Sequence, residues 1–469
     1  MYMKKIKIGY LPMYPKLYDD GNPRRRDPLV NYMNMLIGML ESQGFEVVCA
    51  DEVCRLKEEF ERAAAKFNAD DEIVAVVTQH LAYSPSLMAI DALMSLKAPI
   101  VVFDTTPDYE LVSAAVYAER TFPNHGIHGV QEMCSMLKRR GRDYKIVAGH
   151  ALHGDVVNRL CGILRGAAAA KAFRNVRVGL AGGEFEGMGD FIVKDEVYKQ
   201  VLGGRVFRLG HDEAQRYEAN VTEEEIDAEI KADARKYTVQ VDGVNEYRAA
   251  TRTGLGIRKW MEDNGLNALS VNFLHTYENG LSKMPFVECC KVMERGQGYA
   301  GEGDTLTAGL VAALISVFPD TSFVEMFCPD WEKDLVLLSH MGEMNTKLSQ
   351  WKGVITDSNF VYNESGNTVK MSGCFKPGKA VLVNLTPANV ETTEFDLIIC
   401  PCEMTGDGLE EGAYKGEIQV WLKPGMPVDE FLTKYSEAGG THHSALVYNA
   451  NPAEIQAFGR FMGFKTVII

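Results

Sequence analysis

Short runs of β-branched and apolar residues return at regular intervals through the first 173 residues, each followed by a stretch of helical periodicity. Lys5-Ile-Lys-Ile-Gly-Tyr10, Glu46-Val-Val-Cys49, Ile73-Val-Ala-Val-Val77, Pro99-Ile-Val-Val-Phe103 and Lys145-Ile-Val-Ala148 read as strands. Between them, Leu29 to Gln43 and Pro85 to Leu96 read as helices. Parallel strands need long crossovers and helices fill them, so this spacing predicts a parallel sheet covered on both faces. Open sheets of this kind present binding residues at the C-terminal ends of their strands. His80 to Ser84 and Asp104-Thr-Thr-Pro107 fall at such ends.

A second α/β stretch opens at Val176-Arg-Val-Gly-Leu180 and continues through Gly182-Gly-Glu184-Phe185-Glu-Gly187-Met-Gly189-Asp190. Glycines after a strand invite a dinucleotide reading, and the spacing refuses it. From Gly179 the required positions hold Ala181 and Glu184, and from Gly187 the third position holds Ile192. The better reading is a loop that lets Phe185 or Glu184 approach a small polar ligand. Helical patterns follow at Glu223 to Lys236, Asn245 to Asn264 and Thr305 to Val317, with a strand at Leu269-Ser-Val-Asn-Phe273.

Beyond about Thr321 the runs become short and glycine- and proline-punctuated: Thr368 to Met371, Ala380 to Asn384, Asp396 to Cys400, Glu417 to Leu422 and Ala445 to Tyr448. Such runs predict an antiparallel sheet or barrel, closed by a helix at Pro452 to Met462 and a strand at Thr466 to Ile469. A chain of 469 residues is too long for one core. The expected organisation is α/β, with an N-terminal domain over 1–173, a central domain over 174–320 and a C-terminal β-rich domain over 321–469.

A net charge of −15 argues against nucleic acid or an anionic membrane as main partner. Arg24-Arg25-Arg26 and Lys138-Arg139-Arg140 read as solvated faces or interface ion pairs. No stretch reaches the roughly 18 apolar residues of a membrane helix, and Met1 to Tyr10 reads as a strand rather than an export signal. The expected location is the cytoplasm. Ten scattered cysteines, with no Cys-x-x-Cys pair, fit a reducing compartment and buried thiols.

The chemistry concentrates between Gly298 and Asn345. Glu302 stands between glycines, Glu325 lies inside the apolar run Ser322 to Cys328, and His340 follows the run Leu335 to Leu338. Far downstream, Gly439-Gly-Thr-His442-His443 adds imidazoles on a glycine-rich, flexible stretch. Taken singly, a glutamate between glycines is commonly a solvated turn residue, and a lone histidine commonly a satisfied one. A glutamate in an apolar run is harder to dismiss, because an unpaired carboxylate is costly to bury. Together, two acids and imidazoles make a set that a divalent cation can use.

These segments, Tyr299-Ala-Gly-Glu302-Gly-Asp304, Phe323-Val-Glu325, Ser339-His340-Met-Gly-Glu343 and Gly439-Gly-Thr-His442-His443, resemble in order and spacing the motifs of the L-arabinose isomerase and L-fucose isomerase-like family. His80-Leu-Ala-Tyr83-Ser84-Pro85-Ser-Leu-Met88 and Asn124-His125-Gly-Ile-His128-Gly129 resemble two further stretches of that family. The resemblance covers nearly the whole chain and implies two Rossmann-like parallel-sheet domains followed by a C-terminal β-barrel domain. It also implies an aldose–ketose isomerase acting on a free sugar, with Glu302, Glu325, His340 and His443 as metal ligands. Glu302 and Glu325 double as acid and base.

In such a reaction a proton or hydride moves between C1 and C2 while a hydroxyl proton moves between O1 and O2. Mn²⁺ suits the oxygen-containing ligand set ahead of Zn²⁺, and two imidazoles also admit Co²⁺ or Ni²⁺. Tyr83, His125, His128, Phe185, Phe273 and His442 are candidate sugar contacts. In the family the N-terminal residues come from a neighbouring subunit, which implies a homo-oligomer (hexamer, trimer or tetramer) with shared active sites. The surroundings depart from the L-arabinose isomerase pattern: Thr305 stands for Trp, Met326 for Asp, His125 for Gln and Tyr83 for Phe. The expectation is therefore the reaction and not L-arabinose itself. The alternative is a non-catalytic sugar-binding or regulatory protein on the same fold, which would have no need of paired acids beside a metal.

Overall fold

The computed structural model describes residues 5–111, 120–406 and 418–469. The predicted strand starts at Met1 and Glu417 lie outside them. Two compact units divide the chain, Met1–Ala168 and Ala169–Ile469.

The first unit holds β1 (Ile6–Met13), β2 (Phe45–Cys49), β3 (Val76–His80), β4 (Ile100–Asp104) and β5 (Tyr144–Ala148) in one parallel sheet of order β2-β1-β3-β4-β5. The order is that of a doubly wound sheet, because each crossover is a helix, as at Asp27–Ser42 and Ser86–Ser95. Leu11, Val76, Ile100 and Val102 on the strands pack with Phe60, Phe67, Leu93 and Met133 on the helices. Strand β3 runs on past its predicted end at Val77 and carries buried Thr78, Gln79 and His80 to the sheet edge.

In the second unit β6 (Arg177–Ala181), β7 (Arg205–Arg208), β9 (Ala268–Val271) and β10 (Gly298–Gly301) form a parallel sheet of order β10-β9-β6-β7. The helix Thr305–Ile315 follows β10 and is buried along its whole length. Its sequence explains this: it is apolar on every side, and a helix without a polar face must be covered all round. Small residues make the close approach feasible. A Cβ on Gly298 would sit 2.2 Å from the carbonyl of Ala308 in that helix.

The helix delivers the chain to β11 (Thr321–Asp330) and β12 (Leu335–His340), which join β15 (Gly378–Pro387), β16 (Phe395–Thr405), β17 (Ile418–Pro424) and β18 (His443–Tyr448). Pairing of β16 with β17 closes these six antiparallel strands into a barrel. Val324, Val336, Leu382, Ile398, Val420 and Leu446 fill its core. Outside the ring, β13 (Val354–Ser358) and β14 (Thr368–Cys374) extend the sheet, and β13 takes β8 (Thr238–Gln240) as a parallel neighbour. β19 (Lys465–Ile468) lies parallel to β16. All ten cysteines are free, as buried or partly buried thiols apart from the exposed Cys328. Among the described residues no helix is long and apolar enough to cross a membrane.

Candidate metal and sugar site

The end of β10 places the first acid. Glu302 donates its backbone N–H to the Val271 carbonyl and has φ +62, the left-handed region in which a side chain is strained. Its neighbours have to be glycine. A Cβ on Gly301 would lie 2.8 Å from Cε1 of His340, and one on Gly303, at φ +80, would lie 2.5 Å from the Gly183 carbonyl. The turn thus brings a carboxylate up to two imidazoles without side chains in between.

The barrel supplies the rest. Register sets Glu325 of β11 opposite His443 of β18 on one side and opposite Ser339, the neighbour of His340, on the other. As a result His340 Nε2 is 3.7 Å from Glu325 Oε2, and His443 Nε2 is 3.4 Å from Glu302 Oε2. His442 Nε2 stands 3.6 Å from the same Glu302 oxygen. Two overlapping groups, Glu302 with His442 and His443, and Glu325 with His340 and His443, each bring their ligand atoms within 4.8 Å of one another. Glu302, Glu325, His340 and His443 are therefore gathered at one place.

Each imidazole is aimed from behind by a buried carboxylate. Asp304 Oδ2 lies 3.0 Å from His443 Nδ1, while its Oδ1 accepts from the Thr307 N–H and caps the helix Thr305–Ile315. Glu343 bonds His340 Nδ1 and also accepts from the Tyr299 hydroxyl at 2.5 Å. With Nδ1 engaged, each ring turns Nε2 toward the two glutamates, the arrangement that metal-ligating histidines use. Phe323 meets the His340 and His443 rings edge-on at 4.7 and 4.9 Å and forms an apolar floor.

A fit to a cation is visible in the donors. His443 is completely buried, and among the described residues its Nε2 has no hydrogen-bond partner of good geometry. A buried unsatisfied nitrogen is costly unless something else meets it. Electrostatics divide the two acids. Burial disfavours the Glu302 charge, but the His442 and His443 imidazoles outweigh it and hold the carboxyl well below the usual range. At Glu325 burial prevails over the attraction of His340 and raises the carboxyl. Burial opposes charge on His443 too, yet Asp304 and Glu302 push it up to about 9.

The glycine-rich approach to His443 is held firmly, contrary to the flexibility read from its sequence. Asn384 Nδ2 donates to the Thr441 hydroxyl at 2.6 Å and to the His443 carbonyl at 2.6 Å. Tyr435 donates to the Thr441 carbonyl, and a Cβ on Gly440 would fall 2.3 Å from the Tyr435 ring. Glycine is needed there for close packing. Phe185 and Phe273 meet edge to face at 5.6 Å, and Phe273 also meets Tyr362. Glu184 is not free for a ligand, because Arg208 grips both of its oxygens at 2.5 and 3.1 Å.

Tyr83, His125 and His128 lie in the first unit and form their own cluster. Tyr83 stacks on His128 at 4.6 Å, and the His125 and His128 rings are 4.1 Å apart. Tyr83 donates to Glu132, which also accepts from Ser86, and the Tyr18 hydroxyl reaches His125 Nδ1 at 3.3 Å. Beneath them His80 is buried, and among the described residues neither of its ring nitrogens has a partner. Burial, partly offset by Glu132, lowers its pKa from 6.5 to about 4.

Below about pH 6.5 the unfolded chain therefore binds a proton that folded His80 refuses. Stability is expected to fall as the pH drops from 6.5 to 4, with a His80 share of about 3 kcal/mol. Urea unfolding across that window should show a smaller loss in His80→Gln than in the wild type. Equal losses would exclude the His80 contribution.

Asp304, Glu343, Tyr299 and Phe323 were within reach of the sequence, since each stands inside a segment that carries a ligand. Tyr18 carried no signal, and Asp190, which pairs with His442, ends the glycine-rich loop from Gly182 without standing out from it.

Comparison with known proteins fits this geometry. Residues 32–175 match the L-arabinose isomerase N-terminal domain, 194–318 its central domain and 320–465 its C-terminal domain. The chain belongs to the L-arabinose isomerase family. Three L-arabinose isomerases illustrate the distance. That of Shouchella clausii is 24% identical over 86% of this chain and 82% of its own length. That of Aeromonas hydrophila is 25% identical over 88% and 84%, and that of Cellvibrio japonicus 24% over 94% and 89%. As a member of this family the chain is an enzyme that interconverts an aldose and a ketose.

Proposed function

We propose that this family member is a divalent-metal-dependent isomerase of a free sugar, in which Glu302, Glu325, His340 and His443 hold the ion. The observation that carries the reading is the completely buried His443 Nε2, set in place by Asp304, which faces the Glu302 carboxylate at 3.4 Å without a hydrogen bond of good geometry. Two carboxylates and two imidazoles favour Mn²⁺, with Co²⁺ and Ni²⁺ as alternatives. When bound, the ion would polarise the sugar carbonyl and acidify the neighbouring hydroxyl.

The proton work falls to Glu302 and Glu325. One carboxylate takes the proton from the carbon beside the carbonyl and returns it to the adjacent carbon, while the other serves the two oxygens. The net result moves the carbonyl by one carbon with no proton gained or lost. Holding the acids on a strained turn and a barrel strand fixes their geometry before the sugar arrives. Phe185 and Phe273 offer an apolar wall to a sugar face, His442 a hydroxyl partner, and Tyr83, His125 and His128 further contacts. A homo-oligomer with shared sites, as the resemblance implies, belongs to the same reading, as does the three-domain division at 173 and 320.

The named relatives act on L-arabinose. Thr305 and Met326 alter the surroundings of both acids, so the substrate proposed here is another small aldose. Aldopentoses, aldohexoses and 6-deoxy sugars should be incubated with Mn²⁺ and ketose formation followed. At least one of them is expected to turn over faster than L-arabinose. Binding of a sugar with no turnover of any would contradict the proposal.

A further inference from the structure

His442 directly precedes β18, and its ring is held by a group from outside that strand. The fixing group comes from the loop after β6. Asp190 Oδ2 accepts the His442 backbone N–H at 3.2 Å and lies 2.7 Å from its Nδ1. One carboxylate oxygen thus holds both the main chain and the ring. Phe191, the next residue, is buried, stacks on His443 at 5.2 Å and 11°, and meets the His442 ring at 5.5 Å. The loop can reach so far because Gly182, Gly183 and Gly187 adopt φ of +86, +72 and +94. With Nδ1 tied to Asp190, only Nε2 of His442 is left to face the site, 3.6 Å from Glu302 Oε2.

We propose that Asp190 is a positioning residue of the sugar site: it sets the His442 ring so that Nε2 stands beside Glu302 and meets a hydroxyl of the bound sugar. The proposal rests on the reading of Glu302 and His443 as the metal side of that site. A carboxylate on Nδ1 fixes the direction of the ring and leaves Nε2 to meet the ligand. Without Asp190, half-exposed His442 would have its ring free to turn into other staggered rotamers. Sugar binding would then suffer more than the chemical step.

Crystal structures and kinetics of Asp190→Ala, Asp190→Asn, His442→Ala and the Asp190→Ala/His442→Ala double variant test this. In Asp190→Ala the His442 ring is expected to leave Glu302, and kcat/KM to fall about tenfold, mainly through KM, as for one lost hydrogen-bonding partner. Asp190→Asn keeps an acceptor oxygen and should retain most of the activity. In the His442→Ala background, adding Asp190→Ala should change kcat/KM little, because a residue acting through His442 has nothing left to act on. An unmoved His442 ring in Asp190→Ala, or the same loss with and without His442, would overturn the proposal. Should the wild type turn over no aldose at all, the reading of the site fails, and the ring position alone still decides the positioning role.

Discussion

Glu302→Gln and Glu325→Gln are each expected to lower turnover by about a hundredfold or more, the contribution typical of a positioned general acid or base. Glutamine keeps the length and shape of the side chain and one acceptor oxygen, but it neither carries a proton at neutral pH nor brings negative charge. Glu302 is the sharper case. Its left-handed backbone is already paid for by the turn, so the amide enters the same conformation and the fold should persist, as circular dichroism would show. Glu325 lies on a barrel strand between His443 and Ser339 in register, and exchange to the amide relieves burial of a carboxylate there. Its stability should hold or rise while activity falls. Near-normal turnover in either variant would reduce that residue to a structural acid.

Where strands are buried on both faces, their residues announce them. Val76–His80 and Ile100–Asp104 are buried almost throughout, and the apolar runs Ile73–Val77 and Pro99–Phe103 locate them to within a few residues. Arg205-Val-Phe-Arg208, Thr238-Val-Gln240 and Gly298-Tyr-Ala-Gly301 escape such reading, being short and either charged or glycine-bearing. They are strands because their neighbours are: Thr238–Gln240 pairs with Val354–Ser358, more than a hundred residues away. Barrel closure has the same non-local character.

The site divides along similar lines. An acid inside the apolar run at Glu325 and an acid between glycines at Glu302 stand out from their surroundings, and so do the paired imidazoles. The groups that aim them do not stand out. Asp304 looks like a helix cap and is one, and only the fold shows its second oxygen on His443. Asp190 meets His442 across 252 residues of sequence, a contact that no local pattern carries.

Removal of divalent metal with a chelator is expected to abolish turnover, and added Mn²⁺ to restore it. The basis is the shape of the donor set. Nδ1 of His340 and of His443 are taken by Glu343 and Asp304, so both Nε2 atoms, with Glu302 and Glu325, point at one small volume. In that volume a dipositive charge would meet two carboxylates and the buried Nε2 of His443, which makes no hydrogen bond of good geometry among the described residues. Stability gives a second readout that needs no substrate. Because the four donors come from the turn after β10 and from β11, β12 and β18, they are assembled only in the folded chain, and an ion that binds there stabilises it by mass action. At a hundredfold excess over Kd the gain is about 2.7 kcal/mol. Thermal unfolding should move upward with Mn²⁺ in the wild type, and by much less in His443→Ala, which removes the central donor. Full turnover in demonstrably metal-free protein would sink the metal reading, whereas a thermal shift undiminished in His443→Ala would place the ion elsewhere.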